Sequence, residues 1–146
     1  SGFAIIGCSN SFGEGDLMFS YNDVRLLKLN ENGGIEWEKS YGGSNFDVAK
    51  SISSTFDSGF IIAGSSRSSN GDVNKNQGQN DAWVTKINNS GQLIWETTVG
   101  GAEIDFAYDA VQLTNGTIIA VGETSSFNGD ILVNKGFTDL LIIKIN

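Results

Sequence analysis

An internal repeat constrains the fold of this chain more than any other feature of its sequence. Three copies of one segment, at residues 23–30, 81–88 and 139–146, begin with Asp and share Lys and Asn at fixed positions. The same shift places Trp37 on Trp95, although the chain holds only three Trp. Because so many matches at one offset are hard to obtain by chance, the chain is composed of repeated structural units.

Each repeat unit is predicted to form four short β-strands. The run Phe60–Gly64 is apolar on both faces, which is typical of a buried strand. Asn89, Ser90 and Gly91 form a predicted turn between two further strands. No window longer than one turn keeps a helical period, so we expect an all-β fold. The predicted strands are 3–9, 23–30, 35–41, 48–55, 59–66, 81–88, 93–99, 106–113, 117–124 and 139–146.

The repeat has the features of a β-propeller blade, since it combines four antiparallel strands, a regular period and an aromatic residue in the last strand. The sequence predicts a single partial propeller over 1–146, of about two and a half four-stranded antiparallel blades. Residues 1–43 supply three strands of a first blade, 44–101 a complete blade, and 102–146 three strands of a third. Because propellers close with about four to eight blades, we expect the remaining blades to come from the same or another chain.

Composition excludes several classes of site. The 146 residues include no His and one Cys, so His-based catalytic triads, zinc hydrolases and His-ligated haem sites are excluded, as is an internal disulfide. Nine Lys and Arg against 17 Asp and Glu give a net charge of −8, which argues against nucleic acid and anionic lipid as partners. The longest apolar runs are four residues, so no membrane insertion is expected.

Oxygen-bearing side chains recur in the loop between the second and third strands of a unit. Asp and Asn at alternate positions, beside glycines that let the chain curl, suit a hard cation, and the sequence therefore predicts a divalent-cation site, with Ca²⁺ as the preferred ion. The alternative is that these residues only form turns and cap local backbone N–H groups. The first copy, with Glu14 and Asp16 at a different spacing, is expected to bind more weakly or not at all. The candidate ligands are Asp72, Asn74, Asn76, Asp81, Asp130, Asn134 and Asp139.

Other recurring charged residues are interpreted as structural. An active site needs one special copy, whereas these residues occur in two or three equal copies, so we expect them to join neighbouring blades. No acid and base pair stands out, and no catalytic residue is assigned. The recurring residues are Lys28, Lys86, Lys144, Asp47, Asp105, Glu38 and Glu96.

The aromatic residues and the cysteine are assigned by the same comparison of copies. Trp37 and Trp95 are expected in equivalent buried positions between blades, with a sugar-stacking surface as the alternative. Trp83 aligns with Arg25 and a Leu, so partial exposure is expected. Cys8, in an apolar strand, is predicted to be an inert core residue.

Several motifs together resemble a known family. They are Gly42–Ala49, Asp57–Gly64, Asn70–Val73, Asp81–Ile87 and Gly91–Glu96. These segments are similar to the secreted prokaryotic β-propeller repeats described as bacterial beta-propeller repeat proteins. The resemblance implies an extracellular or cell-surface setting and a scaffold module without a defined activity. The first copy departs from the pattern, because 11–16 replaces the Asn-Gly-Asp loop.

The leading functional hypothesis is a non-enzymatic secreted or cell-surface module that acts as a binding and interaction scaffold for a protein or a glycan. One alternative is part of a larger propeller enzyme, a hydrolase or oxidoreductase, whose catalytic blades lie outside this chain. Another is a purely structural spacer. A blade with a unique cluster of polar side chains would favour the enzyme, whereas uniform blades would favour binding or spacing.

Overall fold

The computed structural model describes residues 2–9 and 23–146, and the described residues form ten β-strands and no helix. This confirms the predicted all-β fold, with each strand close to its expected position. The first-copy loop with Glu14 and Asp16 lies outside the described residues. The strands are β1 (Phe3–Ser9), β2 (Asp23–Leu29), β3 (Ile35–Tyr41), β4 (Asp47–Ser54), β5 (Phe60–Ser66), β6 (Asp81–Ile87), β7 (Leu93–Val99), β8 (Asp105–Gln112), β9 (Ile118–Thr124) and β10 (Asp139–Ile145).

The strands form three antiparallel sheets of three, four and three strands. The first sheet has the order β1-β2-β3, the second β4-β5-β6-β7, and the third β10-β9-β8. Sequential strands pair in every sheet. The four strands of the complete repeat unit therefore form one sheet, as predicted.

Asn-capped turns explain why the strands break where they do. Asn88 directly follows β6, and its side-chain Oδ1 accepts hydrogen bonds from the backbone N–H groups of Ser90 and Gln92, at 3.0 and 2.9 Å. Gly91 has a φ of 79°, which glycine adopts without strain. Asn30 forms the same type of turn between β2 and β3. Short local motifs thus fix each of these hairpins.

Two apolar layers separate the three sheets, so the second sheet is covered on both faces and its strands β5 and β6 are buried throughout. One layer joins the first and second sheets and includes Val24, Leu26, Tyr41, Phe60, Ile62, Val73, Trp83 and Ile87. The other joins the second and third sheets and includes Ile61, Ala63, Ala82, Val84, Ala107, Ala110, Ile118, Ala120, Ile131, Leu141 and Ile143.

The two layers use equivalent positions of the repeat. Val24 and Leu26 of the first sheet contribute to the first layer, and Ala82 and Val84, one repeat later, contribute to the second. Correspondingly, β8 lies against β5 and β6 as β4 lies against β1 and β2. Each sheet therefore presents the same face to the sheet that follows it.

Two expectations about exposure were wrong. Trp83 is only 1% exposed, because its side of the second sheet is covered by the first sheet, and its Nε1–H donates to Glu96 Oε2 at 3.0 Å. Cys8 is exposed rather than part of the core. It pairs with Val24 and so lies on the inner face of the first sheet with Ala4 and Ile6, but near the end of β1, where the apolar layer does not enclose it.

Trp37 and Trp95 occupy equivalent positions but are half-buried rather than enclosed. Trp37 packs against the layer that includes Ile62, and Trp95 packs against the layer that includes Ile61. The Nε1–H of Trp37 donates to the carbonyl oxygen of Asn89 at 3.1 Å, across to the second sheet. The packing role is thus confirmed, with the outer edge of each indole left in solvent.

Candidate functional site

The predicted cation-binding loops are held by hydrogen bonds to the glycine-containing segment that precedes the first strand after β3 or β7. Asn70 Oδ1 accepts the N–H of Ser44 at 2.9 Å, and Asp72 Oδ2 accepts the N–H of Gly42 at 3.2 Å. The backbone N–H of Asp72 donates to the Gly42 carbonyl at 2.8 Å. The second copy repeats these bonds, from Ala102 to Asn128 at 2.8 Å, from Gly100 to Asp130 at 3.5 Å, and from the Asp130 N–H to the Gly100 carbonyl at 2.8 Å.

The later half of each loop is also organised by its own side chains. Asn76 Nδ2 donates to the Ser66 carbonyl at 2.7 Å, while its Oδ1 accepts the N–H of Gly78 at 2.9 Å. Asp81 Oδ2 accepts the N–H of Gln77 at 3.0 Å. In the second copy, Asn134 bonds to the carbonyls of Thr124 and Ser126 and to the Gly136 N–H, and Asp139 accepts the Lys135 N–H.

Two candidate ligand positions do not recur as ligands. Asn74 turns away from the loop, and its Nδ2 donates to Glu96 Oε1 on β7 at 2.7 Å. Its counterpart is Leu132, which has no ligand atom and is almost fully exposed. Among residues 2–9 and 23–146, no group of three or more Asp, Glu, Cys or His side chains is arranged to hold a metal ion. These contacts favour the turn-forming alternative, and calcium binding stays a prediction.

One carboxylate of the loops has an unusual environment. Asp81 is fully buried between the second and third sheets, and its Oδ1 has no hydrogen-bond partner. Asp81 Oδ1 and Asp105 Oδ2 each lie 2.7 Å from the point where a Cβ on Gly100 would stand, so only glycine fits there. Burial, followed by the nearby carboxylates of Asp105 and Asp130, raises the pKa of Asp81 to about 6.

The recurring Asp47 and Asp105 each bond groups at one end of their own sheet and, among the described residues, do not join neighbouring sheets, which also corrects the expected role. Asp47 is fully buried, and its Oδ2 accepts the Gly43 N–H at 2.7 Å and the Ser68 hydroxyl at 2.8 Å. The Ser66 hydroxyl donates to its Oδ1. Burial raises the pKa of Asp47 although these donors oppose the shift. Asp105 makes the equivalent bonds in the third sheet, with Gly101, Ser126 and Thr124.

Two of the recurring lysines, Lys28 and Lys86, bond within their own sheet rather than to a neighbouring sheet, which corrects the expected role. Lys86 is buried, and its Nζ lies 2.6 Å from Asp57 Oδ1 and also donates to Thr55. Because the ammonium bonds the carboxylate directly, the pKa of Asp57 lies well below its usual range. Lys28 pairs in the same way with Glu36 of the adjacent strand, at 3.3 Å.

A cavity of about 250 Å³ lies where β4 of the second sheet meets β8 of the third. Its walls combine apolar side chains with two cations and two uncharged polar groups. The apolar residues are Phe46, Val48 and Phe106; the cations are Lys50 and Arg67; the polar residues are Ser65 and Asn80.

The backbone and one amide position the two cations. Lys50 occupies a β-bulge, since the pairing of β4 with β5 passes from Ala49 to Ser51. A bulge re-aims the extra side chain and often adjoins a functional site. Arg67 follows β5, and its Nε–H donates to Asn80 Oδ1 at 2.7 Å. In the described part of the chain, neither cation forms an ion pair with a carboxylate.

The cavity occurs where the two copies of the repeat differ. One repeat later, the position of Lys50 is taken by Tyr108, which hydrogen-bonds Glu123, and this bond is the main reason why the pKa of Tyr108 rises to about 12. Arg67 is replaced by Ser125. Sequence reasoning missed this site because it concentrated on the recurring residues. The available signal was a pair of cations present in one copy alone.

The described residues contain no helix long and apolar enough to cross a bilayer. No family model matches this chain, and no curated protein matches its sequence.

Proposed function

We propose that the chain is an arc of a β-propeller of the bacterial beta-propeller repeat type, and that it acts as a non-enzymatic secreted or cell-surface binding scaffold. Further blades, from the same or another chain, complete the ring. The stacking of three antiparallel sheets through two equivalent apolar layers supports this architecture. The structural partners of the recurring Asp and Lys residues support a scaffold rather than a repeated catalytic site.

The observation that carries the proposal is the character of the outer faces of the two terminal sheets. On the third sheet, Leu140 and Ile142 are 69% and 61% exposed, yet they occupy the repeat positions of Ala82 and Val84, which are buried between the second and third sheets. Apolar side chains exposed together commonly mark an interface. The outer face of the third sheet therefore corresponds to the face of the second sheet that packs on the third.

The first sheet ends the arc with the complementary face. Phe3 and Ile5 are exposed, and the strand pairing makes them equivalent to Phe60 and Ile62 of β5. Those two residues are buried against the preceding sheet. The two ends therefore carry different and mutually fitting faces, so that association is head to tail, the geometry that generates rings.

Sedimentation velocity over a range of concentrations tests the proposal. The chain should form assemblies larger than a monomer, and Ile142→Asp should return them to monomers by placing a charge on the outer face of the third sheet. Ile94→Asp is the matched control, because Ile94 is similarly exposed but lies on β7 of the middle sheet. A chain that stays monomeric at its highest soluble concentration would overturn the proposed completion of the arc by packing at its end faces.

A further inference from the structure

We propose that the cavity between β4 and β8 is a binding site for a carboxylate attached to an apolar group, such as the C-terminal residue of a peptide or a small aromatic acid. The cavity lies between two described sheets. The inference therefore does not depend on whether further blades close a ring.

The charges at the cavity select an anion. The chain has only nine Lys and Arg and a net charge of −8, yet two of those cations line one cavity without an acidic partner in the described residues. Asn80 holds the Nε–H of Arg67 at 2.7 Å, which orients the guanidinium and leaves its terminal N–H groups to bind a ligand. Guanidinium groups bind carboxylates through two parallel hydrogen bonds, and the nearby ammonium of Lys50 adds a second positive charge.

The apolar walls of the cavity favour a ligand whose carboxylate is attached to an apolar group. Phe46, Val48 and Phe106 supply most of the lining that is not cationic. The ring of Phe106 is stacked on Tyr108, with centroids 6.0 Å apart and planes 18° from parallel. The space between these side chains is about 250 Å³ and opens to solvent, since Phe46 is 40% exposed and Lys50 and Arg67 are exposed. One aromatic ring with a carboxylate fits that space.

The uncharged polar groups favour an apolar acid over an acidic sugar. Ser65 is buried, and its hydroxyl accepts a hydrogen bond from Asn80 Nδ2 at 3.3 Å, while Asn80 Oδ1 is used by Arg67. Few donors and acceptors are then left for the several hydroxyls of a sugar ring, which lose hydrogen bonds to water when they enter.

The repeat supplies an independent observation. The contacts of Asp47 and Asp105 recur in both copies, as expected of positions that serve the shared fold. At the cavity, by contrast, Lys50 and Arg67 become Tyr108 and Ser125 in the third sheet. The bulge itself is retained there, since β8 pairs with β9 through the same irregularity. The β-bulge is thus common to the second and third sheets, whereas the two cationic side chains occur only in the second.

Titration of the full chain with N-acetyl-phenylalanine, followed by amide NMR shifts, tests the proposal. We expect saturable shifts at residues 46–50, 65–67 and 104–106, with a Kd on the order of 1 mM, as suits a ligand of this size. N-acetyl-phenylalanine amide, which lacks the carboxylate, should bind at least about tenfold more weakly. Lys50→Gln and Arg67→Gln should each weaken binding by a similar factor, while Lys135→Gln, at an exposed lysine of the third sheet, should leave it unchanged.

Phenylacetate and a pentapeptide ending in Phe distinguish the two sources of the ligand. Tighter binding of the peptide would assign the site to polypeptide C-termini, and equal binding would assign it to small acids; both outcomes support the shared chemistry. Equal binding of the acid and its amide would overturn the proposal, as would preference for galacturonate over either aromatic acid. Unchanged thermal unfolding of the two Gln variants would show that a loss of binding is not a loss of fold.

Discussion

Asp81→Asn should stabilise the protein at neutral pH. Asp81 is buried between the second and third sheets, and its Oδ1 faces Asp105 without a hydrogen-bond donor. The carboxyl group therefore favours its neutral form, and burial with the neighbouring carboxylates raises its pKa to about 6. Asn has nearly the same shape and is neutral at every pH, and its amide N–H can donate toward Asp105.

The size and sign of the effect follow from the difference between folded and unfolded states. An unfolded Asp has a pKa of about 3.9, so the folded chain binds more protons than the unfolded chain between about pH 4 and pH 6. The free energy of unfolding therefore falls as the pH rises through that window, and the loss is complete above it. A difference of about two pKa units corresponds to about 3 kcal/mol, so Asp81→Asn should gain up to that amount at pH 7 and nothing at pH 4.

Urea unfolding followed by Trp fluorescence, at several values between pH 4 and pH 7.5, measures this difference. Asp139→Asn is the matched control, because Asp139 has the same position in the repeat but only partial burial, and its Oδ1 and Oδ2 accept the N–H groups of Leu140 and Lys135. The control should show no gain at pH 7. If the Asp81→Asn variant unfolds with the same free energy and the same pH slope as the parent chain, the buried carboxyl is not destabilised by its surroundings.

Three further predictions concern packing and ions. Gly100→Ala should destabilise the chain by about 2 kcal/mol in urea, since its Cβ would meet two carboxylate oxygens at 2.7 Å, whereas Gly7→Ala, with an open surrounding, should be tolerated. Trp95→Ala should cost about 2 to 3 kcal/mol in the same assay, because half of the indole packs on the second apolar layer, and an unchanged midpoint would contradict that packing. Millimolar Ca²⁺ should raise the melting temperature if the loop from Asp72 to Asp81 binds it; no calorimetric heat and no shift would leave the loops as turns only.

The fold could be predicted because its determinants are local and repeated. The turn at Asn88 needs only the side-chain oxygen of that residue and the glycine at position 91, and both are visible in the sequence. The shift that relates the copies then places each strand of the complete unit on its counterpart. Strand existence, pairing order and hairpin positions follow from these two facts, without knowledge of how the sheets stack.

Exposure could not be predicted in the same way, because it depends on the presence of a neighbouring sheet. Arg25, Trp83 and Leu141 share one repeat position, but the side of the sheet on which they lie is covered only in the second and third of the described sheets. The substitution pattern therefore suggested a tolerant, exposed position. The covering sheet instead makes Trp83 one of the most buried side chains.

Turn chemistry and metal chemistry also use the same residues, which is why the loops were ambiguous. Asn76 offers an amide oxygen to a cation in principle, but here that oxygen accepts the N–H of Gly78. A turn-forming loop and a cation-binding loop can have the same residue composition and spacing. Only the hydrogen-bond partners separate them, and those depend on the course of the backbone.

The cavity at Lys50 and Arg67 shows where a repeat protein can place a unique function. Recurring side chains are constrained twice, once in each copy, so a change that serves a ligand must occur where one copy can vary without disturbing the other. Lys50 meets this condition, because the bulge projects it from the sheet and no other side chain of the described residues forms an ion pair with it. Arg67 follows the neighbouring strand, and the antiparallel pairing of β4 with β5 brings the two cations to one cavity. The site thus arises from the geometry of one hairpin and the loss of symmetry between two copies.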